Sequence, residues 1–104
     1  MAKITLVDLA DNTFEIPKQK QTTIGRSPMA NVSVEDKTVS AFHCTLYQKE
    51  GETPYVMDSS SKNGTYVTNN GGISQEIKED MCAYLTEKTK IVLGNYELNV
   101  RIEE

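Results

Sequence analysis

The sequence predicts an all-β fold, a β-sandwich of two mostly antiparallel sheets built from about ten or eleven short strands. Apolar and polar residues alternate along several segments, as they do in strands that bury one face. Turn-forming residues interrupt these segments roughly every 8 to 12 residues, a spacing typical of sandwiches and small barrels. No long segment has the apolar period of a helix, although "SQEIKEDM" (74–81) is compatible with a single helical turn.

The alternation runs from the first strand to the last. It begins at Ile4 and Leu6 and is clearest at the end of the chain, where "KIVL" and "YELNV" flank Gly94 and Asn95 and predict a hairpin with a tight turn. The predicted inward-facing residues are Ile4, Leu6, Val32, Val34, Phe42, Cys44, Leu46, Tyr96, Leu98, Val100 and Ile102. The predicted turns are "ADN", "SPMAN", "EDK", "KEGE", "TNNGG", "TEK" and "GN".

Size and charge limit the classes of function. A chain of 104 residues suits one domain with one modest core, and we expect that domain to span residues 1–104. Fifteen acidic residues against eleven basic ones give a net charge of −4, which argues against a protein that coats nucleic acid or anionic lipid. No segment has the pattern of a signal peptide or membrane span, so we expect a soluble, cytoplasmic protein. Nothing in the sequence determines the oligomeric state, and a monomer is the expectation.

The two cysteines, Cys44 and Cys82, are too few for a disulfide framework and have no metal-ligand spacing. Because both lie in alternating apolar segments, we interpret them as buried, reduced strand residues. The sequence indicates no metal site and no cofactor.

Three loops concentrate groups that bind anions. They are "GRSPMAN" (25–31), "EDKTVSAFH" (35–43) and "SSSKNG" (59–64). The segment 24–67 that contains them resembles the forkhead-associated domain, a module that binds phosphothreonine peptides. The resemblance rests on Gly25-Arg26, then Ser40-x-x-His43, then Asn63-Gly64-Thr65 after a strand that ends at Asp58. It implies a phosphothreonine-bearing partner protein and a role as a signalling adaptor.

The phosphate site is predicted from residue chemistry and from this resemblance. A guanidinium is a planar fork of donors that suits phosphate oxygens, and the resemblance gives Arg26 this role. It also makes the Ser40 hydroxyl a direct phosphate ligand. Lys62 stands where the family usually has Thr or Ser, so its ammonium either adds a charge to the site or points into water. Ser61 is either a phosphate ligand or a loop-shaping residue.

The remaining motif residues are expected to bind the peptide or shape the loops. The Asn63 amide is both donor and acceptor, which suits the main chain of an extended peptide, and the family uses its matching Asn in this way. Gly25 and Gly64 are interpreted as backbone-shape residues. The resemblance makes His43 a structural residue that links the loops, and Thr65 a residue that supports them.

Some positions depart from the family pattern. Ala41 replaces a residue that is often Arg, Lys or Asn, so a phosphate or peptide contact is lost and affinity is expected to be modest. Thr68-Asn69 stands where Asn-Gly is common, and the "NNGG" run indicates a lengthened or shifted turn. Lys88-Thr89 stands near the place of a usual Gly-Asp.

Two alternatives to phosphopeptide binding follow from the same residues. Ser40, His43 and Asp58 invite an enzymatic interpretation, but no glycine-framed elbow surrounds Ser40, so no catalytic residue is predicted. The other alternative is a scaffold of the same fold that binds partners through a sandwich face without phosphate. Exposed apolar residues at non-alternating positions would favour that alternative.

Overall fold

A computed structural model describes residues 2–103, and in that range it contains eleven strands and no helix. The strands are β1 (Lys3–Asp8), β2 (Thr13–Glu15), β3 (Gln21–Gly25), β4 (Val32–Ser33), β5 (Cys44–Tyr47), β6 (Tyr55–Asp58), β7 (Thr65–Asn69), β8 (Gln75–Glu76), β9 (Ala83–Tyr84), β10 (Thr89–Leu93) and β11 (Tyr96–Glu103). The all-β prediction is confirmed.

The strands form two sheets that face each other across one core. One sheet has the order β2-β1-β11-β10-β7-β8, and the other has the order β4-β3-β5-β6-β9. All neighbouring pairs are antiparallel except β3 and β4, which are parallel. Since β1 pairs with β11 over six registered positions, residues from the two ends of the described chain stabilise the same sheet.

The core is built from the inward residues of both sheets, as the alternation predicts. Leu6 and Leu98 from one sheet and Ile24 and Leu46 from the other have no exposed surface. Burying such a side chain contributes roughly 1.5–3 kcal/mol, so the apolar alternation is sufficient reason for the two sheets to associate. The final hairpin is also as predicted, with Gly94 at a φ of 62° in its turn.

Three local predictions are wrong. Phe42 precedes β5 rather than lying in it, and 46% of its surface is exposed. Cys82 is an exposed free cysteine just before β9, whereas Cys44 is a buried free cysteine as expected. The segment 74–81 contains the short strand β8 and a turn instead of a helical turn. In each case the residue lies where strand pairing begins or is brief, so the period-two pattern no longer determines the direction of the side chain.

The topology brings the candidate loops to one end of the sandwich. The β3–β4 loop (26–31), the β4–β5 loop (34–43) and the β6–β7 loop (59–64) all lie there. The turn of the β10–β11 hairpin joins them, because the Gly94 N–H donates to the Gly64 carbonyl at 3.1 Å. Loops on a rigid sheet framework are the usual place for a binding site.

Candidate functional site

Arg26 is held at the point where β3 runs beneath the β4–β5 loop. A Cβ atom on Gly25 would lie 2.1 Å from the Ala41 carbonyl oxygen, so only glycine allows this approach. The Arg26 backbone N–H donates to the Ser40 carbonyl at 2.9 Å, and its side-chain Nε donates to the Val39 carbonyl at 3.1 Å. The guanidinium is thus oriented through one nitrogen, and its other N–H groups remain available to a ligand.

Ser40 lies beside the β6–β7 loop, and its hydroxyl contacts the backbone of that loop. Its Oγ accepts a hydrogen bond from the Lys62 N–H at 3.0 Å. Because Oγ is the acceptor in this bond, the Ser40 hydroxyl still has its hydrogen to donate. The Lys62 side chain is exposed beside it.

His43 is fully buried and bridges two of the loops. Its Nδ1 accepts from the Ser40 backbone N–H at 3.0 Å, and its Nε2 lies 2.7 Å from the Gly64 carbonyl. This pair of partners requires the neutral ring with its hydrogen on Nε2. Both ring nitrogens are therefore engaged with backbone, and the contact to Ser40 is to its N–H and not to its hydroxyl. A serine–histidine nucleophile needs the opposite arrangement.

Asp58 organises the β6–β7 loop from the end of β6. Its Oδ1 accepts from the hydroxyls of Ser61 at 2.5 Å and Thr65 at 2.7 Å, and its Oδ2 accepts from the Ser61 N–H at 3.0 Å. Partial burial raises the pKa of Asp58, but these hydrogen bonds outweigh it and hold the pKa below its usual value. Ser61 also accepts from the Gly64 N–H at 3.0 Å. These contacts support the loop-shaping alternative for Ser61, because its hydrogen is donated to Asp58.

Asn63 connects the β6–β7 loop to the β4–β5 loop. Its Nδ2 donates to the Thr38 carbonyl at 2.8 Å, while the side chain as a whole is exposed. Within residues 2–103 its Oδ1 has no hydrogen-bond partner, so this oxygen can accept from the N–H of a peptide.

Thr38 extends the connection to the β10–β11 hairpin. Its hydroxyl donates to Asp36 Oδ1 at 2.6 Å and accepts from the Asn95 N–H at 2.8 Å. The Thr38 hydroxyl and N–H lower the pKa of Asp36 by bonding to its carboxylate. The sequence reasoning did not identify Asp36 or Thr38 as site residues. The available signal was the Asp-x-Thr spacing, which is typical of a carboxylate that accepts from the backbone two residues on.

The cations of the site have no acidic partner. Across the described residues, the ion pairs within 4.0 Å join Lys3 to Glu15, Lys49 to Glu52 and Lys90 to Glu97. Arg26 and Lys62 are in none of them, and the nearby carboxylate of Asp58 is occupied by hydroxyl and N–H donors. The loop end thus presents positive charge that an anionic ligand can neutralise.

The site is an open loop surface. Two grooves, of about 760 and 390 Å³, lie instead beside the β5–β6 turn, and none of the residues of the three loops lines either of them. In residues 2–103 no cluster of His, Cys, Asp and Glu has the arrangement of a metal site. That range likewise has no helix of sufficient length and apolarity to cross a membrane.

The chain is similar to known proteins in sequence and in structure. The sequence model of the FHA (forkhead-associated) domain matches residues 22–94. No curated protein sequence matches the chain.

Solved structures give the same result. The FhaA FHA domain, crystallised with the intracellular domain of Rv3910, has 26% identity and a TM-score of 0.78, with 94% of this chain and 99% of that one covered. The MEK1 FHA domain, in complex with a phosphothreonine peptide of HOP1, has 25% identity and a TM-score of 0.75, with both chains covered completely. The FHA domain of an Arabidopsis thaliana protein has 18% identity and a TM-score of 0.82, covering 100% of this chain and 88% of that one, and shows the shared fold.

The family model covers about two thirds of the chain, including strands of both sheets and all three loops, and the loops carry the Gly-Arg, Ser-x-x-His and Asn-Gly-Thr residues at one end of the sandwich. This chain is a member of the FHA domain family.

Proposed function

We propose that this protein binds phosphothreonine in an extended peptide of a partner protein and acts as a cytoplasmic signalling adaptor, with residues 1–104 as one binding module. The proposal rests mainly on one observation: two side chains at the loop end have hydrogen-bond donors that no other group of the described chain accepts from. Within residues 2–103 the remaining guanidinium N–H groups of Arg26 have no partner, and the Ser40 hydroxyl, which accepts from the Lys62 backbone N–H, keeps its own hydrogen to donate. A phosphate dianion offers three strong acceptor oxygens to such a set.

The peptide backbone is assigned to Asn63. Its free Oδ1 accepts from a peptide N–H, while its bond to Thr38 holds the amide in place. Because the contacts of Asn63 are to main chain, they recognise an extended peptide of any sequence. Gly25, His43, Gly64 and Thr65 keep the loops in position and do not contact the ligand in this proposal.

Relatives support this assignment. The FhaA domain is bound to the intracellular domain of another protein, and the MEK1 domain is bound to a phosphothreonine peptide. The free thiols of Cys44 and Cys82 agree with a reducing, cytoplasmic location.

Binding through a sandwich face without phosphate is less well supported. The exposed large apolar side chains of the described chain lie on six different loops or strands; they are Leu9, Met29, Phe42, Ile73, Met81 and Tyr84. Two of them, Met29 and Phe42, belong to the loops that carry Arg26 and Ser40. The exposed apolar side chains are therefore spread along the chain and are not gathered on one strand or one loop.

The experiment is titration of phosphothreonine peptides from a degenerate library, each compared with its unphosphorylated form. Losing a charged hydrogen-bond partner typically costs ~1.5 to 3 kcal/mol, which is roughly ten- to hundred-fold in affinity. Arg26→Ala is expected to lose affinity on this scale while its circular dichroism stays that of a folded β-protein. Arg101→Ala, at an exposed position on β11, is the matched control and should bind as the wild type does. Equal affinity of the two variants would contradict the phosphate site.

A further inference from the structure

The sequence contains two Asn-Gly pairs, Asn63-Gly64 and Asn70-Gly71, which are the pairs most prone to spontaneous deamidation. Glycine has no side chain to hinder attack by its own backbone nitrogen on the preceding Asn side chain. Both Asn side chains are exposed, and both glycines have positive φ, 86° at Gly64 and 70° at Gly71. Sequence and exposure therefore give the two pairs the same reactivity.

The two Asn-Gly pairs differ in their hydrogen bonds. At the first pair, the attacking Gly64 nitrogen donates to Ser61 Oγ at 3.0 Å, and the amide that must leave donates from Asn63 to Thr38 at 2.8 Å. The Gly64 carbonyl is held as well, by His43 Nε2 at 2.7 Å and the Gly94 N–H at 3.1 Å. Reaction at Asn63 requires several of these bonds to open together.

At the second pair the Asn70 N–H donates to the Lys88 carbonyl at 3.1 Å, but the two groups that react are not held. Asn70 and Gly71 are the central residues of the turn closed by the Gly72 N–H and the Asn69 carbonyl at 2.9 Å, and Asn70 itself has a φ of 54°. Among residues 2–103, neither the Asn70 side-chain amide nor the Gly71 N–H has a hydrogen-bond partner. A Cβ placed on Gly71 would meet nothing within 4 Å, so the turn has open space around it.

We propose that Asn70 is a site of spontaneous deamidation and that the hydrogen bonds of the β6–β7 loop protect Asn63 from the same reaction. In the first step the Gly71 nitrogen forms a bond to Asn70 Cγ, and the C–N bond of the side-chain amide breaks. Ammonia leaves with the proton from the backbone nitrogen, and a succinimide remains. Water then opens either carbonyl of the ring, giving aspartate or isoaspartate. No electron is transferred.

The location of each pair determines the consequence. Asn70 follows β7, at the end of that strand away from Thr65 and the loop site, so a new carboxylate there leaves the site unchanged. A carboxylate at position 63 would repel phosphate and could no longer donate to the Thr38 carbonyl; the effect on phosphate alone rests on the proposed function. The hydrogen bonds of the β6–β7 loop thus protect the Asn63 amide, the one of the two that lies in the binding site.

The test is incubation of the full chain at mildly alkaline pH, with residue-level mass spectrometry that resolves the aspartate and isoaspartate products. Reaction at Asn63 must first break the bonds from Asn63 Nδ2 and from the Gly64 N–H, whereas reaction at Asn70 breaks no corresponding bond. We therefore expect Asn70 to react about tenfold or more faster than Asn63 in the folded protein. In denaturant the two rates should become similar. Equal rates in the folded state, or the same ratio in denaturant, would overturn the proposal.

Ser61→Ala provides a second measurement, with Asn70 as an internal reference in the same molecule. Removing the acceptor of the Gly64 N–H is expected to raise the rate at Asn63 toward that at Asn70, with no change at Asn70 itself. An unchanged rate at Asn63 in this variant would show that the loop bonds do not provide the protection. Because the readout is mass alone, this result is independent of whether the protein binds phosphopeptides.

Discussion

At the scale of single residues, the site consists of side chains that bind the backbone of a neighbouring loop. Ser40 contacts Lys62, Asn63 contacts Thr38, and His43 contacts both Ser40 and Gly64. Each of these bonds fixes a donor or acceptor before any ligand arrives. A site arranged in this way avoids much of the entropy that ordering flexible loops would cost on binding.

Replacing His43 tests whether this residue stabilises the loops. His43→Ala leaves a cavity in a fully buried position and removes the partner of the Ser40 N–H, whereas the Gly64 carbonyl keeps its bond to Gly94. We expect a loss of about 2 to 3 kcal/mol in the free energy of unfolding. Denaturant melts measure this loss directly. A variant with unchanged stability but no peptide binding would instead place His43 in contact with the ligand.

The ionisation of Asp58 predicts a dependence of stability on pH. Its pKa in the folded protein is lower than the ordinary value of 3.8, so the ionised carboxylate stabilises the fold fully above about pH 4. This contribution is lost as pH falls through the lower folded-state pKa. Asp58→Asn should therefore be less stable than wild type at neutral pH, and the difference should shrink in acid. Melts over a pH series measure it, and a stability difference that stayed constant down to low pH would contradict this role of the Asp58 carboxylate.

The motif residues were predictable from sequence, but the groups that hold them were only partly so. Arg26 and Ser40 have side-chain types that indicate phosphate binding and Asn63 one that indicates peptide main-chain binding, and the structure brings all three to one end of the molecule. The role of Asp58 as the centre of the loop depends on the left-handed backbone of Ser60, with a φ of 62°, which no local residue pattern specifies. The contact of Thr38 with Asn95 joins residues 57 positions apart and could not be read locally.

At the scale of elements, pairing length determines how well the sequence predicts the structure. β11 pairs with β1 at six of its eight residues and with β10 at the others, and its alternation from Tyr96 onward was predicted correctly. β4, β8 and β9 have two residues each, too few to show a period. Short strands at the ends of the sheets also leave little unpaired edge for another chain to join.

The β10–β11 turn supports the binding loops, and glycine substitutions can test this. Gly94 and Gly51 both have positive φ, of 62° and 77°, so alanine strains either backbone by roughly 1–2 kcal/mol. A Cβ at Gly94 would also lie 2.5 Å from the Thr38 carbonyl, whereas one at Gly51 meets nothing within 4 Å. Gly94→Ala should therefore destabilise the protein more than Gly51→Ala and also weaken phosphopeptide binding, because Thr38 holds Asn63. Melting and titration of both variants measure these effects, and equal losses would show that the turn does not support the site.

At the scale of the whole molecule, the net charge of the protein has the same sign as the phosphate of the expected ligand. The net charge of −4 gives a far field that repels a phosphopeptide, so attraction must come from short-range cations at the loop end. Arg26 and Lys62 supply these cations without acidic partners in the described chain. A negative net charge with two local cations favours anions that make direct contact with the loops over anions that approach the protein without contact.

Ala41 is the position where this charge can be increased. It is exposed beside Ser40, and its carbonyl is held by the Ser27 N–H at 3.1 Å, so a longer side chain can project outward without moving the backbone. Ala41→Lys is expected to tighten phosphothreonine-peptide binding by up to ~1 kcal/mol, the scale of a partly exposed ion pair.

The gain should shrink as salt is raised, since a Debye length of about 8 Å at physiological ionic strength already limits exposed charges to near neighbours. Thr53→Lys is the matched control, because it makes the same change in net charge at the exposed β5–β6 turn, away from the loops. Calorimetric titration of both variants at two salt concentrations separates the local effect from the global one. If Thr53→Lys tightened binding as much as Ala41→Lys, net charge would be limiting. If neither variant changed affinity, the side chain at position 41 would point away from the phosphate.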